Sequence, residues 1–499
     1  MKKLVSLVLA LCLVLSMAAF TASAEGDIVK LTWAQGSGST APIDNAIVLE
    51  ALNEISREKL GVECDIQYFT NDQIQLSMQA GEVYDMYFTC AWYNNFNTNV
   101  SNGMFANIEG KIQEWTPDLY ALLTEDTWEI ARSADGGLYA IPVPKDIAAM
   151  NFIVYDKSFA DANGIVVPER IEKWDEMTDY LVALQGSMGE GEYAFEIAKT
   201  PAGWDTGFDF IDRTPLIGVI FGAEGEEATK VCVEFDDPLV MDRLRTIHKW
   251  YEMGLINPDA AVTDSVDDKH NHIFTAQAWT GYDYSPSRGY PCGMTCYNGP
   301  ILNTDSVQGA MNAFSVTLED DEARFKKALE YQQLVNTDWE YRNILARGIE
   351  GKHVNYYEFT LENGYTAKAA LQTELGSSNY SPWQFSQGSY PLTAVACTQA
   401  QVDGIDPAPA IDQWDRYYAD IAAYAEVSNI CGFSFNSEGF DNVYAEISAV
   451  KQEYMDSLTS GTVDPDVVVP EMLDKMYAAG LQDVIDACQA QLDAYMANK

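Results

Sequence analysis

The sequence predicts an α/β protein with enough residues for two domains, and three observations support this prediction. The chain has 499 residues, 47% of them hydrophobic, which is sufficient for two cores of ordinary size. The N-terminal part alternates strand-like and helix-like segments, the pattern of a parallel sheet with right-handed crossovers. The middle of the chain, over about 136–259, alternates in the same way and indicates a second α/β unit.

The N-terminal segments define the first unit. Alternating apolar residues indicate strands, apolar residues at helical spacing indicate helices, and Gly61 stands where a helix ends. The third strand is an apolar run that suits a parallel strand covered on both faces. The predicted elements are a strand over 29–33, a helix over 48–60, a strand over 62–68, a helix over 72–81 and a strand over 83–90.

The later elements follow from the same signals. Two aromatic stretches, 278–300 and the region of Tyr356, Tyr357, Trp383 and Phe385, are predicted as loops. The other predicted elements are a turn and short edge segment over 136–142, a strand over 150–155, helices over 156–164, 171–185, 236–254, 324–336 and 443–458, and a helix over 473–495 with a break at Gly480.

The net charge of the chain indicates which classes of binding partner to expect. The formal net charge is −45, from 75 acidic and 30 basic residues. Nucleic acids and anionic membranes attract basic surfaces, so the composition argues against both as partners.

The first 24 residues are predicted to be a secretory signal peptide. They contain a lysine pair, an apolar stretch and an Ala-Ser-Ala cleavage motif over 22–24. No second stretch is apolar over the length that a membrane-spanning helix needs. We therefore expect an extracytoplasmic protein, either secreted or associated with the cell surface.

Cysteine and histidine patterns do not predict a metal site or a cofactor. The cysteines beyond the signal peptide are dispersed, and most are predicted to be small buried hydrophobic residues. Cys292 and Cys296 are close enough in sequence to pair, but as metal ligands they lack a second cluster. The four histidines include one His-x-His, at 270–272, without further ligands, and are predicted to be solvent-exposed.

The sequence contains no recognisable catalytic motif. Neither a G-x-S-x-G elbow nor an H-E-x-x-H segment is present. Among 75 carboxylates, adjacent pairs such as Asp236-Asp237 arise by chance. We therefore predict a protein that is not an enzyme.

Polar and aromatic residues at the ends of the first predicted strands are candidates for a binding site. Trp33 ends the first strand, Gln35 begins the loop that follows it, and Trp92 and Asn94 follow the third strand. In open α/β sheets, ligands bind beyond the carboxyl ends of the strands. Aromatic faces stack on sugar rings and amides bind hydroxyl groups, although Trp92 and Phe96 alternatively anchor the loop in the core.

Several motifs resemble one protein family. The chain is similar to the extracellular solute-binding proteins of ABC importers, in the LipO- and LplA-like branch of the family 1 type. The motifs that carry the resemblance, in family order, are QGSGS, DMYFTCAWYNNFN, DGGLYAIPVPKD, GLINPD, RGIEGKHVNYY, SNICGFSFNSE and AAGLQDVIDACQAQLDAYM.

The resemblance implies a two-lobed fold like that of periplasmic binding proteins. Each lobe would be discontinuous in sequence, and ligand would bind in a cleft that closes about a hinge. The expected division is a signal peptide over 1–24, lobe one over 25–140 plus about 305–365, and lobe two over 141–304 plus about 366–499 with the C-terminal helices. The partners expected are an oligosaccharide and the transmembrane subunits of an ABC permease, with the protein itself a monomer.

The candidate ligand-binding residues combine strand ends with aromatic loops, and core packing is the alternative for each aromatic residue. Asp85 is expected to form structural hydrogen bonds, and 348–351 to form a turn near the hinge. The candidates are Trp33, Gln35, Trp92, Asn94, Trp204, Asp209, Trp279, Tyr282, Tyr284, Arg288, Tyr356, Trp383 and Phe385.

Four functions remain compatible with the sequence. The leading hypothesis is an importer component that binds a neutral oligosaccharide. The alternatives are a peptide-binding importer component, a secreted glycoside hydrolase with two carboxylates in its cleft, and a surface adhesion or sensor protein.

Overall fold

The structure, a computed structural model, describes residues 28–38, 41–199, 203–205, 207–266 and 272–498. The predicted signal peptide and His270 lie outside the described residues. Within the described part of the chain, each helix is too short or too polar to span a bilayer.

Fifteen strands belong to four sheets within the described residues. They are β1 (Val29–Gly36), β2 (Val62–Phe69), β3 (Met86–Thr89), β4 (Ala140–Pro142), β5 (Ala149–Asp156), β6 (Phe208–Asp212), β7 (Ile217–Ile220), β8 (Cys232–Val233), β9 (Ile273–Ala278), β10 (Cys292–Leu302), β11 (Met311–Phe314), β12 (Val354–Thr360), β13 (Thr366–Gln372), β14 (Val395–Ala396) and β15 (Glu426–Val427).

The helices surround these sheets. They are α1 (Asn45–Leu60), α2 (Asn71–Gln79), α3 (Phe96–Ser101), α4 (Lys111–Trp115), α5 (Pro117–Tyr120), α6 (Glu125–Ile130), α7 (Lys157–Asn163), α8 (Thr178–Gln185), α9 (Pro238–Glu252), α10 (Ser285–Arg288), α11 (Thr304–Val307), α12 (Glu322–Thr337), α13 (Trp339–Arg347), α14 (Glu374–Asn379), α15 (Gln384–Gln387), α16 (Gln399–Val402), α17 (Gln413–Tyr424), α18 (Asp441–Thr459), α19 (Pro465–Ala478) and α20 (Leu481–Asn498).

The first lobe is built on a five-stranded sheet in the order β2-β1-β3-β11-β4. β1 pairs in parallel with β2 and β3, which confirms the parallel arrangement predicted from the N-terminal alternation. β11 is antiparallel to both of its neighbours, β3 and β4. Residues far along the chain therefore complete this sheet, and the lobe is discontinuous.

The second lobe is built on a sheet in the order β15-β10-β5-β9, in which β10 and β9 are antiparallel to β5. The eleven-residue strand β10 lies in the aromatic stretch that was predicted to be a loop, so that prediction is wrong there. The pairing of β10 with β5 shifts register on either side of Asn298. Such bulges accommodate glycine and proline within a strand, and these residues concealed it in the sequence.

A three-stranded sheet, β12-β13-β14, corrects a second loop prediction. Tyr356 and Tyr357 belong to β12, which forms an antiparallel hairpin with β13. Both tyrosines are half-buried, so β12 lacks the alternation between buried and exposed residues by which a strand is recognised.

The chain crosses between the lobes at several places. Residues 143–148 connect β4 of the first sheet to β5 of the second, and residues 303–310 return from β10 to β11. A later passage leads from Phe385, which packs on the first lobe, to Trp414, which packs on the second. These segments are the candidate hinge.

The sequence ranges assigned to the two lobes stay a prediction. Tyr380 shares a core cluster with Trp33 and Phe325, and Trp383 and Phe385 pack beside β3. These contacts favour a first-lobe range that extends beyond residue 365.

Buried hydrogen bonds explain two residues singled out from the sequence. Asp85 accepts hydrogen bonds from the backbone and hydroxyl of Thr32 at 2.7 and 3.0 Å. It also accepts two from Arg324, at 2.6 and 2.8 Å. The predicted structural role of Asp85 is confirmed, because its carboxylate ties β1 to the helix that covers the sheet.

The histidine prediction is wrong for His353, which is fully buried. Its Nδ1 accepts a hydrogen bond from the backbone of Ile349 at 3.0 Å, and its Nε2 lies 2.9 Å from Asp44 Oδ2. The pKa of Asp44 is lowered to about 2, first by its hydrogen bond with His353 and then by Lys352. The GIEGKH motif therefore folds back as a turn around a buried imidazole.

Cys292 and Cys296 do not form the disulfide that their sequence spacing allowed. Both residues are unpaired thiols on β10, four positions apart. An extended strand separates such positions by about 13 Å, well beyond the Cα separation of a disulfide. By contrast, Cys64, Cys90 and Cys488 are buried, as predicted.

Candidate functional site

A cleft of about 370 Å³ lies where the two lobes meet the crossing segments. The first lobe contributes the loop after β3, and the second contributes residues of β5, β6, β9 and β10. The described residues that line it are Trp92, Lys145, Ala149, Asn151, Asp205, Gly207, Phe208, Arg213, Phe221, Gln277, Asn298, Ile301, Asn303, Asp305, Ser306 and Gly309.

Trp92 forms the first-lobe side of the cleft. Its side chain is 48% exposed, and its Nε1 donates a hydrogen bond to the carbonyl of Gly309 at 3.2 Å. Phe88, Trp383 and Phe385 surround its ring at centroid distances of 5.9 to 6.1 Å. The indole is thus held by neighbouring rings and one hydrogen bond while part of its surface remains open to a ligand.

The loop that carries Trp92 has a constrained backbone. Asn94 has a φ of 45° and is buried; its backbone N–H donates to Asn71 Oδ1 at 2.9 Å, and its Nδ2 donates to the carbonyl of Phe88 at 3.3 Å. Asn94 therefore shapes the turn that presents Trp92, and these hydrogen bonds favour a structural role over its predicted contact with ligand. Asparagine tolerates positive φ better than other non-glycine residues.

Arg213 forms the charged side of the cleft. Its Nη1 lies 2.8 Å from Asp205 Oδ2 and its Nη2 lies 2.8 Å from Asp305 Oδ2, while its guanidinium stacks on Phe210 at 4.0 Å. Asp305 belongs to the crossing segment 303–310, so this bridge connects the second lobe to the candidate hinge. Leu216, three residues later, has a φ of 60°.

Backbone strain coincides with the cleft. Among the described residues, Asn94 and Leu216 are the two non-glycine positions with positive φ, and each lies within three residues of a cleft side chain. Strained backbone of this kind persists where surrounding structure enforces it, and it concentrates at functional sites.

The charged side chains of the cleft form ion pairs. Lys145 pairs with Asp146 at 3.1 Å, and Gln277 Nε2 donates to the other oxygen of that carboxylate at 2.9 Å. Arg213 pairs with Asp205 and Asp305. Because each charged side chain has a partner of opposite sign, the cleft offers amides, paired charges and ring faces, which suit an uncharged polar ligand better than an ion.

Two predicted site residues lie in the core of the first lobe. Trp33 is fully buried, and its Nε1 donates to Asn312 Oδ1 at 3.1 Å. Gln35 is also fully buried, and it is bound to Asn312 and Ser386. Neither lines the cleft, because β1 is a central strand whose two faces are covered, and these contacts favour a structural role over the predicted contact with ligand.

Two further predicted residues, Trp204 and Tyr356, have structural partners. Trp204 is buried and stacks on Phe235 at 6.3 Å. Tyr356 packs against Trp339 on the β12 hairpin. Neither lines the cleft, and their predicted contact with ligand stays a prediction.

The predicted group around Trp279 belongs to the hinge side of the second lobe. Trp279 is 6% exposed, stacks on Trp414 at 4.6 Å and donates to Gln413 Oε1 at 3.0 Å. Tyr282 and Tyr284 pack beside it. These aromatic residues form a closed cluster rather than a ligand platform, as the core-packing alternative stated.

Arg288, predicted with the same group, also does not line the cleft. Its guanidinium lies 3.7 Å from the ring centroid of Phe274 on β9. Its predicted contact with ligand stays a prediction.

Trp383, Phe385 and Asp209 border the cleft without lining it. Trp383 stacks on Phe385 at 5.4 Å and lies 5.9 Å from Trp92. A Cβ added to Gly36 would lie 3.0 Å from the Trp383 ring, so this first glycine of the QGSGS motif is required by close packing. Asp209 accepts a hydrogen bond from the cleft residue Asn303 at 3.0 Å.

The sequence did not identify the amide and charged residues of the cleft. Asn151 lies in a strand that was predicted, but its side chain gave no signal of function. Asn298 lies at the irregularity of β10, a strand that was not recognised. Arg213 follows β6 in a turn, and the charge pairs it forms join residues up to 92 positions apart.

The described residues contain no group of three or more histidine, cysteine or acidic side chains placed to bind a metal. The fold and the cleft thus define a two-lobed protein with a candidate ligand site between its lobes, beside the segments of the candidate hinge.

Similar proteins agree with this architecture. A protein of Streptococcus pneumoniae serotype 4 (strain ATCC BAA-334 / TIGR4), named as a carbohydrate ABC transporter substrate-binding protein, is 25% identical over 463 residues, which cover 91% of this chain and 88% of that protein. Residues 429–497 match a family described as a domain of unknown function, DUF3502.

Solved structures share the fold over nearly the whole chain. The N-glycan transport solute-binding protein NgtS from Streptococcus pneumoniae has a TM-score of 0.77 at 22% identity, covering 94% of this chain and 99% of that one. Its complex with Man5GlcNAc has a TM-score of 0.74 at 23% identity, with the same coverage. The predicted resemblance to solute-binding proteins of ABC importers and the predicted two-lobed α/β fold are therefore confirmed.

Proposed function

We propose that this chain is the extracellular substrate-binding component of an ABC importer and that it captures a neutral oligosaccharide in the interlobe cleft. The observation that carries the proposal is the composition of the cleft. One half-exposed tryptophan of the first lobe faces amides of the second, and each charged side chain of the lining is paired.

The chemistry of each wall fits a sugar. Trp92 offers a flat apolar face that packs on the C–H face of a pyranose ring. Asn151, Asn298 and Asn303 offer amide donors and acceptors for hydroxyl groups. Since no unpaired charge lines the described cleft, an ionic ligand would gain less than a neutral one.

The similar proteins support the same class of ligand. The pneumococcal relative is named for carbohydrate transport, and NgtS has been solved with Man1GlcNAc and with Man5GlcNAc. We infer that this chain delivers its ligand to the transmembrane subunits of an ABC permease from outside the cytoplasm, acts as a monomer and leaves the ligand unaltered.

A thermal-shift screen of the mature protein tests the proposal. The library contains neutral oligosaccharides, among them Man1GlcNAc and Man5GlcNAc, together with acidic oligosaccharides and short peptides. A ligand present at about 100 times its Kd adds about 2.7 kcal/mol to stability, which raises Tm measurably. Stabilisation by a neutral series that is recovered intact supports the proposal.

Other results of the screen contradict it in distinct ways. Stabilisation by peptides alone would replace the oligosaccharide with a peptide ligand. New reducing ends in the recovered sugar would indicate a hydrolase. No stabilisation by any neutral oligosaccharide would reject carbohydrate capture.

A further inference from the structure

A second, smaller cavity adjoins the cleft. It has a volume of about 140 Å³ and lies between the β6–β7 face and the segment that begins with β15. Asp209 and Val219 are cross-strand partners on β6 and β7, so their side chains share the face that forms its floor. Phe221 lines this cavity and the cleft, so the two spaces meet at its ring.

The floor of the small cavity is connected to the cleft by hydrogen bonds. Asp209 is 2% exposed; its Oδ1 accepts from Asn303 Nδ2 at 3.0 Å, and its Oδ2 accepts from the hydroxyl of Ser428. The backbone N–H of Ile430 donates to that hydroxyl at 3.0 Å. Asn303 also lines the cleft, so a single residue connects the two cavities.

The mouth of the small cavity is polar and open. Glu426, Val427 and Asn429 are exposed there, with Val427 at 60%. Among the described residues that line this cavity, Asp209 and Glu426 are acidic and none is basic. Carboxylates accept hydrogen bonds from hydroxyl groups, whereas they repel another carboxylate that is brought close to them.

We propose that this cavity is a second subsite, which takes an uncharged sugar unit at one end of the oligosaccharide and rejects a unit that carries a carboxylate. The inference rests on the proposed function, because it assigns the extension of a ligand whose other units occupy the cleft. Phe221 separates the two subsites, and Asn303 and Asp209 form the polar connection behind it.

A blocking variant at the mouth tests the subsite. Val427→Trp places a large side chain at an exposed position of a strand, where the fold tolerates it. Val467→Trp is the matched control, because Val467 is 64% exposed on α19 and lines neither cavity. Calorimetric titrations use Man1GlcNAc as the short probe and Man5GlcNAc as the long probe.

We expect the blocking variant to change the affinity for the two probes differently. Val427→Trp weakens binding of the long probe about tenfold or more and changes binding of the short probe less than about twofold, while Val467→Trp changes neither. If the wild type binds the probes and Val427→Trp binds both as the wild type does, or weakens both equally, the subsite is rejected and the proposed function stands. If the wild type binds neither these probes nor any neutral oligosaccharide of the screen, the proposed function is rejected and the subsite with it.

The charge preference has its own measurement. The long probe is oxidised so that its terminal primary hydroxyls become carboxylates, and we expect wild-type protein to bind it about tenfold more weakly than the neutral probe. Glu426→Gln removes one of the two acidic side chains and restores part of that loss. Equal affinity for the neutral and oxidised probes in the wild type would overturn the proposed selectivity.

Discussion

Two aromatic clusters of similar composition have opposite roles in this protein. The cleft cluster consists of Phe88, Trp92, Tyr93, Trp383 and Phe385, and the hinge cluster consists of Trp279, Tyr282, Tyr390, Trp414 and Tyr417. Rings in each cluster approach to within about 6 Å of one another. Yet Trp92 is 48% exposed, while Trp279 is 6% exposed.

The difference arises from what surrounds each tryptophan. The indole of Trp279 donates to the side chain of Gln413, and the ring is covered by helix α17. That cluster also holds the crossing segment 143–148 in place. The backbone N–H of Ala148 donates to Tyr417 Oη at 2.8 Å, and the backbone N–H of Tyr390 donates to the carbonyl of Pro144 at 2.8 Å. The indole of Trp92 is held by its edge, and part of its face is left uncovered.

The comparison teaches that a high aromatic content does not locate a sugar site. An aromatic ring can stack on a ligand only where the fold holds it firmly and leaves one face bare. A ring that is covered on both faces stabilises the fold instead. Substitutions in the two clusters should therefore change different measured quantities.

The largest effect is expected for Trp279→Ala. Removal of a large buried side chain from the hinge cluster leaves a cavity, and we expect a loss of about 3–5 kcal/mol in the free energy of unfolding. Urea unfolding monitored by circular dichroism measures it. The control is Tyr424→Ala, at an exposed position at the end of α17, the helix that covers Trp279. It should lower the free energy of unfolding by less than about 1 kcal/mol. A loss from Trp279→Ala no larger than that of the control would contradict the closed packing of this cluster.

Trp92→Ala is expected to weaken ligand binding while changing stability little. Loss of a stacking tryptophan from a binding site costs about 2 kcal/mol, or roughly 30-fold in Kd. Titration with the ligand found in the screen measures the affinity, and thermal unfolding measures the stability. Trp92→Tyr retains a flat ring and should recover part of the affinity. Unchanged affinity in Trp92→Ala would remove Trp92 from the site.

Trp383→Ala should weaken both ligand binding and stability, each to a moderate extent. Its ring supports Trp92 on one side and the backbone of Gly36 on the other, so its loss loosens the platform and the loop after β1 together. We expect a decrease of about 1 kcal/mol in binding and a decrease in stability smaller than that of Trp279→Ala. A double-mutant cycle with Trp92→Ala measures the coupling, and fully additive effects would show that Trp383 does not act through Trp92.

The smallest expected effect is a pH dependence of stability that arises from Asp209 at the border of the cleft and not from the hinge cluster. Burial raises the pKa of Asp209 to about 6 from the ordinary value of 3.8, against the opposing hydrogen bonds of Ser428 and Asn303. Between pH 4 and 6 the folded protein therefore binds a proton that the unfolded chain has released. The contribution of Asp209 to stability thus rises by about 1 kcal/mol when the pH falls from 7 to 5.

A comparison of the wild type with two variants measures the contribution of Asp209 to stability. Asp209→Asn lacks the titrating group, so the difference in unfolding free energy between wild type and variant should change by about 1 kcal/mol between pH 7 and pH 5. Trp279→Ala keeps Asp209 and should retain the wild-type pH dependence. A constant difference between wild type and Asp209→Asn would show that the carboxyl is not proton-linked to folding in this range.

Much of the fold was predictable because its signals are local. The apolar spacing of α1 ends at Gly61, which has a φ of 65°, the left-handed conformation that closes a helix. The parallel pairing of β1, β2 and β3 followed from alternating strand and helix patterns. β10 was missed because its bulges admit residues that normally end a strand.

The site was predicted less completely than the fold. Of the candidates, Trp92 lines the cleft, and Trp383, Phe385 and Asp209 border it. Trp33 and Gln35 lie near the end of a strand, but helices and a neighbouring segment cover them. Whether a residue is buried depends on which residues, distant in sequence, pack against it. The sequence next to that residue does not show which residues these are.

The sequence by itself determined the alternation of helices and strands, the glycines that end them and the family resemblance, since each of these depends on residues that are close together in the chain. Only the tertiary structure decided which tryptophan faces the cleft. Trp92 meets its hydrogen-bond partner Gly309 across 217 positions, and Trp279 meets Gln413 across 134. Such long-range contacts leave a ring open or cover it, and they form only when the chain folds.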